Sequence, residues 1–175
     1  MTALFKRFPL TPAILAICLS ACMTPAPPTP PERQTKADSL IVASIRAAGD
    51  KEKSVIDVNP LRDPGVTSLQ DGAKADALAG RFSDAAAKLD QALKLNPDSP
   101  DLLQDRAEVA IRLHDYTDAE KLARRSWELG PRLGPLCARN WQTVVELRDR
   151  VDDQVGADNA RKSVAKCHVE GVPRY

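Results

Sequence analysis

Small and apolar residues recur between residues 66 and 131 in a pattern that occurs twice, 34 residues apart. In the first copy the pattern falls on Gly80, Phe82, Ala85, Leu89, Ala92, Leu95 and Pro97. In the second copy it falls on His114, Tyr116, Ala119, Ala123, Ser126, Leu129 and Pro131. Within each copy the apolar positions are three or four residues apart, which predicts two amphipathic helices joined by a short turn.

The first copy indicates which helix faces are buried and where the helices end. The predicted buried faces carry Leu69, Ala73 and Ala77 on the first helix and Ala85, Leu89, Ala92 and Leu93 on the second. Alanines at these positions allow two helices to approach closely. Asn96-Pro97 and Gly130-Pro131 end the second helices, because the residue before a proline is biased away from the helical conformation. A single helix pair cannot bury its own apolar face, so the copies are expected to stack.

This pattern resembles the tetratricopeptide repeat (TPR) family, whose unit is a helix–turn–helix of the same period. The resemblance implies an all-α fold, a TPR-like α-solenoid of two to three repeats. The corresponding segments are 66–99 for the first repeat, 100–133 for the second, 134–169 for a degenerate third repeat or capping helix hairpin, and 170–175 for a tail.

The third repeat follows the pattern less faithfully than the first two. A long helix is predicted over residues 136–151, and a last helix over 157–168 after a break at Gly156. The turn between these helices is expected to be several residues longer than a TPR turn. The segment is therefore expected to form an elongated hairpin that caps the C-terminal end of the stack.

A separate helix is predicted ahead of the repeats, over residues 36–48. One side of it carries Leu40, Ile41, Ser44, Ile45 and Ala48. Gly49 is expected to stop this helix. Because the ends of a solenoid need covering, we expect the segment 36–65 to supply an N-terminal capping helix, followed by a loop in which residues 55–58 form a packed extended piece. The alternative is a short segment that docks onto a partner.

The first 22 residues have the pattern of a targeting segment. Lys6 and Arg7 precede an apolar run that is too short to span a bilayer as a permanent helix. The run closes with Leu-Ser-Ala-Cys at residues 19–22, which resembles a bacterial lipobox. The resemblance implies that residues 1–21 are a lipoprotein signal peptide and that Cys22 carries acyl chains, including palmitate. The alternative is an ordinary secretory peptide that is cut near Ala21.

Residues 22–35 follow as a lipidated cysteine and a proline-rich tether, which favours an extended polyproline II conformation. Residue 23 is Met rather than Asp. By resemblance to the enterobacterial sorting rule, this favours the periplasmic face of the outer membrane. The chain is therefore expected to contact the membrane through the lipid anchor at Cys22.

Charge and motif content exclude several functions. Without residues 1–21 the chain has 23 basic and 24 acidic residues, a net charge of −1, which offers no electrostatic footprint for nucleic acid. No phosphate loop, serine nucleophile motif or pair of carboxylates stands out, so no enzyme, cofactor or small-molecule substrate is expected. The charges in the run 146–153 are spaced by four residues and predict a solvated helix face.

Two cysteines remain after the signal peptide and the lipidated cysteine are set aside. Cys137 and Cys167 are an even pair in an oxidising compartment and fall on the two helices of the last pair, so a structural disulfide is expected. Two alternatives stay open. A redox-active pair would be better supported by a Cys-x-x-Cys spacing, which is absent, and a metal site would need more ligands at closer spacing than the two histidines supply.

The two histidines carry weaker signals. His114 stands where the first copy has Gly80, and histidine tolerates left-handed backbone better than most residues, so a role in the turn is expected. His168 follows Cys167, but neighbours on a helix point about 100° apart, which argues against a catalytic dyad.

The TPR resemblance also implies a contact surface, because the first helices of TPR proteins line a concave groove. Carried over residue by residue, the protein-binding positions are Gln70, Lys74, Asp101, Gln104, Glu108, Arg112 and Gln142, with Thr67 and Ala138 beside them. The set is polar and mixed in sign, without an evident Lys/Asn clamp for a carboxylate. The resemblance implies a membrane-anchored adaptor or assembly factor that binds a peptide or helix of an envelope protein.

Two other functions stay open at this point. One is a thiol-redox protein that uses Cys137 and Cys167, which titration of free thiols would test. The other is a passive structural lipoprotein whose repeats bind nothing. Replacing Gln70, Lys74 and Gln104 together with Glu108 by Ala would leave such a protein fully functional.

Overall fold

The computed structural model describes residues 36–52 and 63–168. These residues form seven α-helices and no strand: α1 (Asp38–Asp50), α2 (Pro64–Leu78), α3 (Phe82–Leu95), α4 (Pro100–Arg112), α5 (Tyr116–Leu129), α6 (Pro135–Arg150) and α7 (Gln154–Ala165). The predicted signal peptide, Cys22, the proline-rich tether, the extended piece at 55–58 and the tail lie outside the described residues. Within the described ranges, no helix combines the length and the apolarity that crossing a membrane requires.

Helices α2 to α7 form three consecutive pairs that stack into an α-solenoid. α2 pairs with α3, α4 with α5, and α6 with α7, while α3 packs on α4 and α5 packs on α6. The helix contacts are lined by buried alanines, among them Ala73, Ala85, Ala92, Ala107, Ala119 and Ala123. Small side chains at the contacts bring the helix axes close together, so the all-α solenoid predicted from the repeat is confirmed.

The helix starts follow from proline and aspartate at defined positions. The first helix of each pair begins with a proline, at Pro64, Pro100 and Pro135. Proline suits this position because its missing N–H would have no partner there in any case. Asp115 and Asp153 cap α5 and α7 by accepting hydrogen bonds from the amides of Asp118 and Gly156.

One backbone conformation recurs in the turns of all three pairs. Each turn contains a residue in the left-handed region: Gly80 (φ 77°), His114 (φ 64°) and Asp152 (φ 58°). In each turn the next amide donates to the carbonyl five residues earlier, from Arg81 to Asp76, from Asp115 to Ala110 and from Asp153 to Arg148. This is a glycine-type helix C-cap, and it confirms the predicted turn conformation of His114.

The third pair differs from the sequence prediction in two respects. Its turn is not longer than the others, because three residues separate the two helices in every pair. The additional length lies in α6 itself, which has 16 residues against 13 in α4, a difference close to one helical turn of about 3.6 residues. Gly156 does not break the chain either. It lies in the first turn of α7, where Asp153 caps the helix.

A disulfide closes the last pair at its open end. Cys137 near the start of α6 is bonded to Cys167 just after α7, with their Cα atoms 5.6 Å apart. The amide of Gly134 donates to the carbonyl of Cys167 at 2.8 Å. Trp127 of α5 and Trp141 of α6 pack beside the disulfide, edge to face, with ring centroids 5.1 Å apart. The last pair is thus fixed to itself covalently and to α5 by aromatic packing.

Helix α1 lies elsewhere than the sequence predicted. It does not cap the N-terminal end of the stack but packs on α6 and, less extensively, on α4. Ile41 and Ile45 are almost fully buried in a cluster that includes Leu147 of α6. Gly49 does not stop the helix, because a Cβ atom there would lie 2.8 Å from Cγ of Arg139 and only glycine fits against α6.

Candidate functional site

The inner face of the solenoid is the surface formed by α2, α4 and α6, the first helices of the three pairs. Asp38 in the first turn of α1 lies 3.6 Å from Arg150 at the end of α6, whereas Gly49 in its last turn lies against Pro135 at the start of α6. α1 therefore runs antiparallel to α6. We call the part of the inner face beneath α1 the covered groove. Its floor consists of Gln104, Asp105 and Glu108 of α4 and Arg139, Gln142, Thr143 and Glu146 of α6.

A buried ionic network forms the centre of this floor. Arg139 donates to Glu108 at 2.6 and 2.9 Å and to Asp105 at 2.8 Å. Burial alone would lower the pKa of Arg139, but the carboxylates of Glu108 and Asp105 outweigh that effect and raise it above its ordinary value. The guanidinium therefore stays charged, and the three side chains join α4 to α6.

Hydrogen bonds extend this network across all three first helices. The side-chain amide of Gln104 donates to the hydroxyl of Thr143 at 3.0 Å, which is a second link from α4 to α6. The amide of Gln70 on α2 donates to Asp105 on α4 at 2.7 Å. The inner face therefore carries a continuous row of polar side chains, and most of them form hydrogen bonds with one another.

Two basic side chains, one on α1 and one just before it, lie over two acidic residues of the floor. Nε of Arg46 lies 2.8 Å from Oε2 of Glu108, and Nζ of Lys36 lies 2.8 Å from Oε1 of Glu146. Gln142 donates to the same carboxylate of Glu146 at 3.0 Å. The helix is thus matched to the groove in charge as well as in shape.

The two histidines of the chain lie at the two ends of α1. Nδ1 of His114 is 2.7 Å from Asp38 in the first turn, and Nδ1 of His168 is 2.8 Å from Glu52 just beyond the last turn. The hydroxyl of Tyr116 also donates to Asp38 at 3.1 Å, and burial together with this carboxylate raises the pKa of Tyr116. Polar side chains from the repeats therefore contact α1 at both ends and in its middle.

Three positions of the predicted protein-binding surface, Gln70, Gln104 and Glu108, are buried in the structure. Their exposed fractions are 7%, 0% and 2%. Gln70 is covered because it bonds to α4, and the other two lie in the floor of the covered groove. A partner cannot reach Gln104 and Glu108 while α1 is in place.

The remaining positions of the predicted protein-binding surface differ in how exposed they are. The guanidinium of Arg112 lies 4.3 Å from the ring centroid of Phe82 and so packs on the first pair. Lys74 is exposed, and Asp101 and Gln142 are half-buried. Ala138, beside the predicted set, is fully buried, whereas Thr67 is exposed. Of the predicted set, the accessible part is centred on α2.

Sequence reasoning missed the charged residues that seat α1. The run 146–153 was expected to face solvent, but Glu146 is buried beneath Lys36 and Arg150 lies against Asp38. Their ion-pair partners are more than a hundred residues away in the chain. No local signal marks them, since the same spacing also suits an exposed helix face.

Neither cysteine has a sulfur atom that is accessible for the thiol-redox chemistry considered above. Cys137 and Cys167 are bonded to each other, and they are 1% and 0% exposed. Thiol–disulfide exchange needs an attacking thiolate to reach one of the sulfurs. Within 36–52 and 63–168, no group of three or more His, Cys, Asp or Glu side chains is arranged to hold a metal ion.

Comparison with known proteins identifies the fold of these helix pairs. Residues 77–132, from the end of α2 to just beyond α5, match the family model of the tetratricopeptide repeat. The chain is also similar to the solved structure of the globular C-terminal domain of P. aeruginosa LpoP, with 28% sequence identity and a TM-score of 0.56. That match covers 60% of this chain and 99% of the LpoP domain. No curated protein sequence matches the chain. The fold is therefore a TPR-type α-solenoid.

Proposed function

We propose that this chain is a membrane-anchored adaptor or assembly factor that binds a peptide or helix of an envelope protein on the inner face of its TPR-type solenoid. The observation that carries the proposal is the seating of α1. The inner face receives an amphipathic helix along α4 and α6, with Arg46 and Lys36 matched to two floor carboxylates. A surface that seats one helix in this way has the shape and charge that helix recognition requires.

The open face is the part of the inner face that remains accessible, and it consists of Thr67, Asp71 and Lys74 of α2 and Asp101 of α4. Lys74 lies 3.8 Å from Asp71, and both side chains are more than half exposed. Such a solvated pair contributes little to stability, so a partner can replace it without disturbing the fold. The partner's first contact is therefore expected here.

Membrane attachment is the second part of the proposal. The lipobox pattern at residues 19–22 supports lipidation of Cys22, and Met rather than Asp at residue 23 supports residence at the periplasmic face of the outer membrane. Two or more acyl chains on one cysteine anchor a protein stably, because each buried methylene contributes about 0.8 kcal/mol. The disulfide supports an oxidising compartment such as the periplasm.

Site-specific photocrosslinking in cells tests the binding surface. A photoreactive residue at Thr67 or Lys74 is expected to form an adduct with one recurrent protein, identified by mass spectrometry. Gln91, which is exposed on α3 of the same pair, is the matched control and should form no such adduct. Adducts at Gln91 with none at the two open-face positions would place the interaction on the outer helices and overturn the proposal.

A further inference from the structure

The polar side chains in the floor of the covered groove have partners of their own that do not belong to α1. Arg139 already bonds to Glu108 and Asp105 without any contribution from α1. Gln104 and Thr143 likewise bond to each other. An uncovered groove would expose this ionic surface together with the apolar side chains on which Ile41 and Ile45 pack, among them Ile111 and Leu147. The contacts between α4 and α6 would persist, and the exposed apolar side chains would favour a helix as the next occupant.

The attachments of α1 are distributed along its length and combine a buried apolar stripe with partly solvated ion pairs. Its buried apolar contribution comes from Ile41, Val42 and Ile45. The remaining contacts are polar. In four ion pairs the basic partner is 41–75% exposed and the acid 2–12% exposed, namely Lys36 with Glu146, Arg46 with Glu108, His114 with Asp38 and His168 with Glu52. Asp38 also contacts Arg150 and Tyr116. Because one partner of each of the four pairs is partly solvated, a helix that presents the same charges can compete with α1 for the floor carboxylates.

We propose that the covered groove is a helix-binding site whose occupant exchanges: α1 fills it in the free protein, and an amphipathic helix of the partner fills it in the complex. This inference rests on the proposed function and adds a second site to the open face. The two sites are continuous, because Gln70 and Arg139 bind the same side chain, Asp105, from opposite sides. A partner helix that binds the open face is therefore adjacent to the covered groove.

The partner helix is expected to share the sequence features by which α1 fits the covered groove. It runs antiparallel to α6 and carries an acid in its first turn, as Asp38 does opposite Arg150. Two aliphatic residues follow four positions apart, as at Ile41 and Ile45, with a basic residue next to the second. A glycine one turn later allows the close approach to Arg139 that Gly49 makes.

Peptide competition on the full mature chain tests whether the groove accepts a helix from outside. The probe is a fluorescein-labelled peptide of residues 36–52, followed by fluorescence anisotropy. We expect the Ile45→Asp chain to bind this peptide at least about tenfold more tightly than the wild-type chain, because its own α1 no longer competes. A peptide that carries Ile45→Asp is the matched control and should bind neither chain.

A second variant tests the exchange in case the Ile45→Asp chain does not fold. Arg46→Glu changes a half-exposed side chain and reverses its charge over Glu108, so it should loosen α1 with the repeats intact. Circular dichroism and an intact disulfide establish that each variant is folded. If a folded variant binds the peptide no more tightly than the wild type, the exchange is overturned.

Crosslinking at Gln142 separates this inference from the proposed function. Gln142 is half-buried and donates to Glu146 beneath Lys36, so exchange predicts a partner adduct there as well as at Lys74 of the open face. Adducts at Lys74 alone overturn the exchange and leave the proposed function standing, whereas adducts at neither position overturn both. If the purified chain dimerises on its own and the Gln142 adduct is a second copy, the assignment of a partner helix is overturned.

Discussion

The first and last helix pairs share the same turn but are fixed by different chemistry at opposite ends. In the first pair, Asp76 of α2 accepts hydrogen bonds from Lys88 of α3 and from Arg81 in the turn, close to the closed end of the hairpin. In the last pair, the Cys137–Cys167 disulfide joins the open end, with α1 packed on α6. Both pairs contain ion pairs, since Arg161 of α7 also pairs with Asp149 of α6, but only the last pair has a covalent bond at its open end.

This difference also divides the inner face. The face of α2 is open and carries Lys74 and Thr67, while the face of α6 is covered and carries the buried ionic network of Arg139. The covalently fixed end of the stack is thus the end that seats α1. We infer that the disulfide keeps α6 in place when its covering helix is absent, which links oxidation to the integrity of the binding surface.

The largest expected effect comes from removing the disulfide. Replacing Cys137 and Cys167 together by Ala should lower the free energy of unfolding by about 3–4 kcal/mol, because the bond closes a loop of 30 residues in the unfolded chain. Urea unfolding measures the loss, and hydrogen exchange should locate it in α6 and α7. Unfolding the wild type in urea with a reductant present, which reaches the sulfurs once the chain unfolds, should give a loss of similar size. An equal loss of hydrogen-exchange protection in α2 and α3 would show that the disulfide does not act mainly on the last pair.

The ionic floor of the covered groove should rank next. Arg139→Met leaves the carboxylates of Glu108 and Asp105 without their central cation in a buried site, which should cost about 3 kcal/mol in unfolding free energy. Arg125→Met is the matched control, because Arg125 pairs with the exposed Asp98 and its loss should change stability by less than about 0.5 kcal/mol. Similar losses for both variants would show that the buried network contributes no more than a surface pair.

The first pair should respond to acid through Asp76. The hydrogen bond from Lys88, and then that from Arg81, lowers the pKa of Asp76 below its ordinary value. The stabilisation is therefore present above the ordinary carboxyl range and is lost as the pH falls through the lowered pKa. Asp76→Asn should lower the Tm near neutral pH and weaken its dependence on pH in acid.

Thermal melts of the two proteins from about pH 7 to pH 2 measure this dependence. Asp71→Asn is the control, since Asp71 is exposed and pairs only loosely with Lys74. An Asp76→Asn protein whose Tm falls with acid as steeply as that of the wild type would show that other groups set the acid limit.

The smallest effect should come from the histidines at the ends of α1. Replacing His114 and His168 together by Gln should cost less than about 1 kcal/mol, because both imidazoles are largely exposed. The loss should appear as faster hydrogen exchange in α1 rather than as a global change. Unchanged hydrogen exchange in α1 would mean that these two contacts do not retain the helix.

The repeat could be predicted from the sequence because its turn residues are spaced regularly. Gly80 and His114 mark equivalent turns 34 residues apart, and Pro97 and Pro131 mark the ends of α3 and α5. The third turn could not be predicted in this way, because α6 has three more residues than α4 and Asp152 therefore does not follow the 34-residue spacing. The pairing of Cys137 with Cys167 needed only their even number and their places on the last two helices.

The site could be predicted only in part, because burial on the inner face depends on a helix that is distant in sequence. The stripe of Ile41 and Ile45 predicts that α1 packs on something, but no periodicity states on which helix. Gln104 and Glu108 are polar residues at groove positions, which suits an exposed surface until α1 is placed over them. Gly49 was assigned to a helix end, since the same residue also serves close packing.

The position of α1 at the start of the described chain has a mechanical consequence. Lys36 and Asp38 are its first anchoring residues, and the proposed lipid tether joins the chain just before them. Tension between the membrane and a bound partner would reach the helix pairs through the contacts of α1. Because α1 precedes the helix pairs in the chain, its contacts would bear the load before those of the solenoid. The protein would then yield under load at one defined helix.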